Sequence, residues 1–434
     1  MNGSGQPDVD DLETLIGRWR SSVGADSEDI DELESRLRSQ ADELSDIGLA
    51  PEEVFLVAAR RVGISYDHDR GGDSPETQIR RSPGRSRDFL TAAGLACLAG
   101  IAIKAPELFG LGFDGDSRFY ARSLSVLVLP MLAAYFALKR RLDARTTGII
   151  AALFAAGAVA ANVYPFDPDS QTEILTALHL PIALWLLTGV AHTGGQWRTQ
   201  RMEYVRFTGE WGVYYALIAA GGGLFAALTA GVFGAIGIDL ENFTVAWLLP
   251  CGASGAVVVA AWLTESRPRV AEIIASALTT LFTPLVAAML LIFVGVMAVT
   301  GRSIELDRDA LIFFNVLLAS ILALVVYSAS ARRTRPRLAT FMLLAGALLI
   351  DVVVFVAVAL RIAEFGITPN RAAVAGENLI LLANLVGSVW LYLRCLRQKR
   401  PTDDMMRWQG AFLPVYAAWA ALVVVAFPPV FGFA

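Results

Sequence analysis

Charged residues and histidines are scarce in this sequence. Lys, Arg, Asp and Glu make up 18% of its 434 residues, against about a quarter in soluble proteins. Its three histidines, His68, His179 and His192, are too scattered to predict a metal site, and we expect His179, inside an apolar run, to be packed and hydrogen-bonded. The three cysteines lie in or beside apolar runs without metal-ligand spacing, which indicates small buried side chains. The sequence therefore predicts no metal and no cofactor.

Catalytic and targeting signatures are also missing. The sequence has no G-x-S-x-G, H-E-x-x-H or Cys-x-x-Cys pattern, no Walker loop and no Gly-rich nucleotide fingerprint. No catalytic residue is predicted, although a sparse active site within the membrane stays open as an alternative. The first 85 residues are polar, so we expect no cleavable signal peptide. Because no basic stripe is present, nucleic acid is not an expected partner.

Long apolar runs are what the sequence has in abundance. Hydrophobic residues make up 55% of the chain, and after residue 88 they form runs of about 18 to 25 residues, long enough to cross a bilayer as a helix. We count about eleven such segments, at residues 89–110, 121–138, 147–165, 174–193, 211–236, 244–264, 273–300, 310–330, 340–362, 373–396 and 411–432. The pattern predicts an all-α fold, a polytopic helical bundle whose partner is the lipid bilayer, and leaves the oligomeric state open.

The charges are distributed unevenly along the chain. Residues 1–88 carry 20 acids and 11 bases, a net charge of −9, whereas residues 89–434 carry 21 acids and 25 bases, a net charge of +4. Between the spans, basic loops alternate with acidic ones, and the positive-inside rule assigns the basic loops to the cytoplasm. We therefore expect a bacterial inner-membrane protein with a cytoplasmic amino terminus and, after eleven spans, an extracytoplasmic carboxyl terminus.

Three short helices are predicted ahead of the membrane region. The first covers residues 9–23, the second begins at a capping box at Asp26 or Ser27 and ends at Gly48, and the third ends at Gly63. A linker rich in Gly, Ser, Pro and Arg follows. We therefore expect three regions: a three-helix domain at 1–63, a basic linker at 64–88 and a transmembrane domain at 89–434.

Three stretches of the front domain carry a family resemblance. They are Glu32-Leu33-Glu34 followed by Leu37, then Gly48-Leu49-Ala50-Pro51-Glu52-Glu53-Val54-Phe55, and then Ala58-Ala59-Arg60-Arg61-Val62-Gly63. Together they resemble the permease prefix domain, a three-helix module found in front of bacterial permeases and related membrane proteins. The resemblance implies a regulatory or assembly role without chemistry, in which residues 9–63 bind a cytoplasmic protein partner.

Small residues recur at every fourth position in the fifth predicted span, at Ala219, Gly223, Ala227, Gly231 and Ala235. Residues four apart share one helix face, so they form a smooth ridge that a neighbouring backbone can approach closely. We expect tight packing within the chain. A dimer interface or a moving contact is the alternative.

A carboxylate lies near the middle of the ninth predicted span. A charged Asp351 there costs on the order of 3 kcal/mol on insertion scales, so it must be paired, protonated or next to water. The next span adds Glu377 and Asn378, and we take these three residues as a candidate substrate or ion site. The alternative is an interhelical hydrogen-bond cluster that only holds the bundle together.

The turn between these two spans has the most distinctive local sequence. Gly366 permits an unusual backbone conformation, and Asn370 can cap the next helix. The basic residues Arg361 and Arg371 depart from the acidic character of the other outer loops. We expect them to pair with Glu364 or to bind an anion, which adds all three to the candidate site.

The same turn carries a second family resemblance. Arg361-Ile362-Ala363-Glu364-Phe365-Gly366-Ile367-Thr368-Pro369-Asn370-Arg371 resembles the signature of a bacterial multi-pass family catalogued as a domain of unknown function, in which Arg-Ile-x-Glu-aromatic-Gly-x-Thr-Pro-Asn-Arg joins two late helices. The segment Arg206-Phe207-Thr208-Gly209-Glu210-Trp211, running into Tyr215 and Gly221-Gly222-Gly223, is similar to an earlier motif of that family. The resemblance covers about residues 90–425 and implies kinship without an activity.

Three functions stay open at this point. Permease-like transport of a small solute or ion, or its regulation, is favoured by the number of spans and by Asp351, although neither an internal repeat nor a pair of broken helices is visible. The second is a non-transporting scaffold or sensor whose acidic front domain binds a cytoplasmic partner. The third, less favoured, is a membrane enzyme that acts on lipid or cell-envelope substrates through Asp351, Glu364 or Arg371.

Overall fold

In the computed structural model, helices connected by short turns make up nearly all of the described residues. These are residues 12–23, 28–45, 51–62, 83–112, 117–168, 170–235, 239–300, 308–330, 338–398 and 403–434, and they contain no strand. The chain forms two compact units, Met1–Arg87 and Asp88–Ala434.

Fifteen α-helices follow one another within the described ranges. They are α1 (Leu12–Val23), α2 (Glu28–Ser45), α3 (Pro51–Val62), α4 (Pro83–Lys104), α5 (Ser117–Arg140), α6 (Ala144–Val163), α7 (Gln171–His192), α8 (Trp197–Ala235), α9 (Glu241–Phe243), α10 (Leu249–Ser266), α11 (Pro268–Thr300), α12 (Arg308–Ser330), α13 (Leu338–Phe365), α14 (Pro369–Gln398) and α15 (Asp403–Val430). A 3-10 turn, Ala105–Phe109, extends α4, and a π-helical turn, Thr244–Leu248, joins α9 to α10.

The first unit is a small core made by α1, α2 and α3. Trp19 of α1, Leu37 of α2 and Phe55 of α3 belong to one buried apolar cluster, because each helix places apolar residues three or four apart on one face. Glu34 of α2 also forms an ion pair with Arg20 of α1. Apolar burial thus joins all three helices, and the ion pair adds a link between α1 and α2.

Some of the predicted helix boundaries cannot be compared with the structure. The capping box at Asp26 or Ser27, the helix ends at Gly48 and Gly63, and most of the predicted linker lie outside the described residues. Where the linker is described, it differs from expectation, because α4 already begins at Pro83. Proline suits the first position of a helix, where no backbone N–H is needed.

Eleven of the described helices are long and apolar enough to cross a membrane. They are Arg87–Phe109, Arg118–Arg140, Ala144–Val163, Gln171–His192, Trp197–Phe233, Thr244–Ser266, Ala271–Val296, Ile312–Ser330, Leu338–Phe365, Pro369–Gln398 and Asp403–Val430. Each overlaps one of the predicted spans in chain order, which confirms the all-α polytopic bundle. The chain is therefore a multi-pass integral membrane protein.

Two apolar clusters organise the membrane helices. One contains residues of the five consecutive helices from α4 through α8 and of α10, with Leu132 and Phe136 among its members. The other joins α11 to α14, around residues such as Leu290 and Leu344. α15 contributes to both, Val424 to the first and Met405 to the second. The helices α13 and α14, which carry the predicted site residues, belong to the second cluster.

Two glycines determine how closely α14 packs on α15. A Cβ atom at Gly376 would lie 2.0 Å from the Trp419 ring, and one at Gly387 would lie 2.1 Å from the Trp408 ring. The glycines and the tryptophans have the same sequence spacing in opposite order, so both contacts fit one antiparallel register. Each indole ring therefore lies against bare backbone, and a larger residue at either glycine would overlap it.

Where it is described, the ridge of small residues on α8 does not pack against the other described helices. Ala219, Ala227 and Gly231 are exposed, and a Cβ atom at Gly223 or Gly231 would meet no other atom within 4 Å. The expectation of tight intramolecular packing is therefore wrong for these four residues, and the side chain of Ala235 lies outside the described ones. The reason is that the neighbours of α8 cover mainly its first half, where the buried residues Tyr204, Phe207, Glu210 and Tyr214 lie.

Candidate functional site

Asp351 is fully buried in the middle of α13. Its relative exposure is 0%, and at 1.5 Å per residue it lies about 20 Å from either end of the helix. It belongs to the buried stripe of α13, with Leu344, Ala347, Ile350, Val354 and Val358. Neither carboxylate oxygen has a hydrogen-bond partner among the described residues. Since an unpartnered charge is very costly in apolar surroundings, the group requires a proton, a cation or water close to it.

Asn378 is the second unpartnered polar side chain of this region. It is also 0% exposed, and neither its amide oxygen nor its amide nitrogen has a partner. Seven residues later, on the same face of α14, Leu385 belongs to the apolar cluster that also contains Ile350 and Val354 of α13. Asn378 therefore lies on the face of α14 that packs towards α13.

The two residues lie at different depths along the contact between α13 and α14. A three-residue turn joins the helices, so they run antiparallel. Counted from that turn, the helical rise puts Asn378 about 13 Å and Asp351 about 21 Å into the bundle. A further unpartnered oxygen, Oδ1 of Asn315, lies on α12, which also packs against α13. We call Asp351 and Asn378 the unbonded pair.

Glu377 does not share a site with Asp351, although the sequence suggested it. Its Oε1 lies 2.7 Å from Nε2 of His179 on α7, and the other ring nitrogen of His179 lies 2.8 Å from the carbonyl oxygen of Leu175. On α14, residue 377 is rotated by about 100° from residue 378, so the two side chains leave the helix on different faces. The expectation that His179 is packed and hydrogen-bonded is confirmed, and its partner is a carboxylate on another helix.

A further set of polar side chains on α14 and α15 is fully bonded. The amide nitrogen of Gln409 donates to Oδ1 of Asn384 at 3.2 Å and to Oγ of Ser388 at 2.8 Å, and its oxygen accepts from Nδ2 of Asn384 at 3.1 Å. All three residues are 0% exposed. We call them the bonded cluster, an interhelical contact in which every polar side-chain atom has a partner.

The turn between α13 and α14 has a different organisation from the predicted one. Nη1 of Arg371 donates to the carbonyl oxygens of Phe365 and Gly366 at 3.0 and 2.9 Å, and the ion pairs within the described residues do not join it to Glu364. Gly366 has a φ of +77°, as its position in the turn requires. Arg371 therefore serves to hold the turn, and Glu364 is exposed.

The predicted helix cap at the start of α14 is also corrected. Oγ1 of Thr368, not the side chain of Asn370, accepts from the backbone N–H of Arg371, at 3.4 Å. The N–H of Asn370 instead donates to Oε1 of Gln171 on α7, at 3.2 Å. The amino-terminal ends of α7 and α14 are therefore in direct contact.

The sequence did not indicate two polar residues that form bonds between helices in the structure. Gln409 lies just inside the last span, and its only signal is an amide beside an apolar run. Glu173 of α7 forms an ion pair of 2.6 Å with Arg122 of α5, and acids at a helix start are common enough to attract no notice. Neither could be assigned a partner without knowing which helices are neighbours.

The fold and these sites define a polytopic α-helical membrane protein with unpartnered polar groups inside its bundle. Comparison of the chain with protein-family models, with curated proteins and with solved structures found no match.

Proposed function

We propose that this protein is a permease-like membrane protein that moves a small solute or ion, and that Asp351 and Asn378, about 8 Å apart in depth, are two binding positions along its path through the membrane. One observation carries the proposal, namely that both oxygens of Asp351 lack a partner at zero exposure in the middle of a span. A side chain with only a packing role would be more stable here as an apolar residue. Keeping an acid at such a cost is typical of ion and substrate pathways.

The chemistry of the unpartnered atoms indicates what the site would bind. Asp351 offers two carboxylate oxygens, and Asn378 and Asn315 each offer an amide oxygen. Oxygen acceptors with a single negative charge suit a proton or a small hard cation, because one charge neutralises the other. The cargo or the coupling ion would therefore be a proton or a small cation.

The orientation and the front domain are part of the same proposal. The alternating basic loops support an amino terminus in the cytoplasm and a carboxyl terminus outside. In that arrangement α1, α2 and α3 form a cytoplasmic module of the permease-prefix type, which would bind a protein partner and regulate or assemble the membrane region. Labelling of single cysteines placed in α2 and in the turn at 366–368, by a reagent that does not cross membranes, tests this orientation.

The decisive test of the site is flux through purified protein in proteoliposomes. A trapped pH-reporting dye measures proton entry driven by a potassium diffusion potential, and radioactive sodium uptake is measured in parallel. We expect one of the two fluxes in the unaltered protein, and we expect Asp351→Asn to abolish it, because the amide keeps the size of the side chain and removes its charge.

A matched control makes the same chemical change at an exposed position. Asp404 on α15 is half exposed and bonds only to Arg407 of its own helix, at 2.7 Å, a contact that contributes little. Asp404→Asn should therefore retain the full flux. Equal flux in Asp351→Asn and the unaltered protein would exclude Asp351 as the site.

A membrane scaffold or sensor is the second candidate function. The bonded cluster of Asn384, Ser388 and Gln409 favours it, because fully satisfied interhelical bonds stabilise a bundle without implying a pathway. For the enzyme hypothesis the geometry offers less support, since the guanidinium of Arg371 bonds to two backbone carbonyls. If neither flux is found, and a partner binds residues 9–63, the scaffold or sensor function is the better account.

A further inference from the structure

The contact between His179 and Glu377 contains a proton whose presence can be deduced from geometry alone. One ring nitrogen of His179 lies 2.8 Å from the carbonyl oxygen of Leu175. A carbonyl oxygen only accepts hydrogen bonds, so whichever ring nitrogen faces it must carry hydrogen. The other ring nitrogen lies 2.7 Å from a carboxylate oxygen of Glu377.

This second contact needs a hydrogen of its own. A neutral imidazole has one N–H, and that hydrogen is already used towards Leu175. Without a further proton, a nitrogen lone pair and a carboxylate oxygen would face each other at hydrogen-bond distance, which is repulsive. The contact therefore contains one shared proton, held either as imidazolium with carboxylate or as imidazole with carboxylic acid. In both forms the pair has no net charge.

We propose that His179 and Glu377 form a one-proton site that fastens α7 to α14, and that loss of this proton lets the amino-terminal halves of the two helices move apart. Beside the site, Leu175 of α7 and Ala373 of α14 belong to one buried apolar cluster, which α15 completes. The proton-dependent contact therefore adds to apolar packing at the same level, about 12 Å inside the amino-terminal ends of both helices. The proposal goes beyond transport and does not depend on it.

The elements packed against the pair carry other charged and titratable groups. On α7, Glu173 is paired with Arg122 of α5, and on α14 the guanidinium of Arg371 bonds to two carbonyls of the adjoining turn. On α13, which packs against α14, the buried carboxyl group of Asp351 can also hold a proton, so substitution of Glu377 itself is needed to identify the group responsible. The remaining charged and titratable groups lie at the helix ends or in the halves remote from the pair, namely Arg118, Lys139, Arg140, Arg145, His192, Arg198, Arg201, Glu203, Arg206, Glu210, Arg361, Glu364, Arg394, Arg397, Asp403, Asp404 and Arg407, and Tyr416 of α15 adds a phenol.

The sign of the pH effect follows from the shared proton. At low pH the proton is present, the pair is neutral, and α7 and α14 are held together. At high pH the proton is lost, the pair carries a net charge of −1, and the two acceptors repel. Because Asn378 follows Glu377 directly on α14, a movement of this helix would also move the unbonded pair.

Substitutions of Glu377 distinguish the effect of the proton from the effect of the contact itself. In Glu377→Gln the amide donates its N–H to the neutral ring and accepts through its oxygen from the protonated ring, so the contact persists whether or not the extra proton is present. In Glu377→Ala the contact is absent at any pH. Gln171 and Asn370, which are in direct contact at the amino-terminal ends of α7 and α14, provide positions for two spin labels, Gln171→Cys and Asn370→Cys, in full-length protein with its three native cysteines replaced by alanine.

The measurement is dipolar broadening between the two labels in nanodiscs, from mildly acidic to mildly alkaline buffer. We expect the protein with native Glu377 to lose its broadening in a one-proton transition as the pH rises, Glu377→Gln to keep it throughout, and Glu377→Ala to lack it throughout. Broadening that persists at every pH with native Glu377, or that is lost equally in Glu377→Gln, would overturn the proposal. The outcome is decided by the glutamine variant even if the alanine variant does not fold, and it is independent of any flux.

Discussion

Two sets of buried polar side chains lie on α14 and its neighbours, and they differ in whether their bonding atoms have partners. In the bonded cluster, Asn384, Ser388 and Gln409 use their side-chain groups on one another. In the unbonded pair, Asp351 and Asn378 have no partner for any side-chain oxygen or nitrogen. All five residues have zero exposure, so burial is matched and only the bonding differs.

This difference separates a structural role from a functional one in physical terms. A satisfied buried amide contributes modestly to stability, whereas an unsatisfied one costs free energy that the rest of the bundle must offset. A protein that keeps the second arrangement gives up stability at that point. Such losses are typical of binding sites, where the missing partner is the ligand.

The largest stability effect should come from breaking the bonded cluster. Gln409→Met keeps the length of the side chain and leaves the buried Nδ2 of Asn384 without its acceptor, while Ser388 keeps only its bonds to Asn384. Because an unpaired buried polar group costs about 1–3 kcal/mol, we expect a loss of about 3 kcal/mol in the free energy of unfolding, measured by titration with a denaturing detergent.

A double variant gives the control for that prediction. Asn384→Leu combined with Gln409→Met removes both partners, and replacing both ends of a bond is far less costly than removing one. The double variant should therefore recover part of the lost stability. Additive losses in the two single variants and the double variant would mean that the cluster does not act as a unit.

The unbonded pair should respond in the opposite direction. Asp351→Leu has the same branching and no polar atoms, so it should raise the free energy of unfolding by about 2 kcal/mol, since the cost of the unpartnered carboxyl group disappears. Asn378→Leu should give a smaller gain, of about 1 kcal/mol, because a neutral amide is less costly to bury. The same detergent titration measures both, and a loss of stability in Asp351→Leu would contradict the absence of a partner for Asp351.

The sequence was sufficient for the spans and insufficient for these pairings. Each of the eleven helices is specified locally by a run of apolar residues, so its existence and approximate ends can be predicted without knowledge of its neighbours. Asp351 could be selected for the same reason, because an acid in the middle of such a run is unusual wherever the helix lies. The positive φ of Gly366 was also predictable from its position in a short turn.

Contacts between helices needed information that no single segment contains. His179 and Glu377 are far apart in sequence, and their contact depends on α7 lying beside α14 in a parallel arrangement. The ridge of small residues on α8 failed for the same reason, since its spacing describes a face and does not identify what covers it. One apolar helix surface packs about as well against any other, so hydrophobicity predicts the number of spans and does not predict which of them are neighbours.

The exposed carboxylate of Asp143 offers a third case, in which a hydrogen bond should contribute least to stability. Asp143 lies just before α6, and its Oδ2 accepts from the backbone N–H of Thr146 at 3.0 Å. Hydrogen bonds from the side chain and the backbone of Thr146 lower the pKa of Asp143 from its ordinary value. Asp143 therefore is hydrogen-bonded and exposed to solvent, whereas Asp351 is unpartnered and buried.

The smallest expected effect comes from removing this cap. Because the pKa of Asp143 is lower in the folded state, its contribution is complete above the ordinary carboxyl pKa of about 3.9 and is lost as the pH falls through the folded value. Asp143→Ala should lower stability slightly at neutral pH and match the unaltered protein in strong acid, whereas Asp143→Asn, which also caps helices, should change little at neutral pH. Thermal unfolding of the three proteins across this range measures the effect. A pH-independent difference between the alanine variant and the unaltered protein would show that the charge of Asp143 does not stabilise the start of α6.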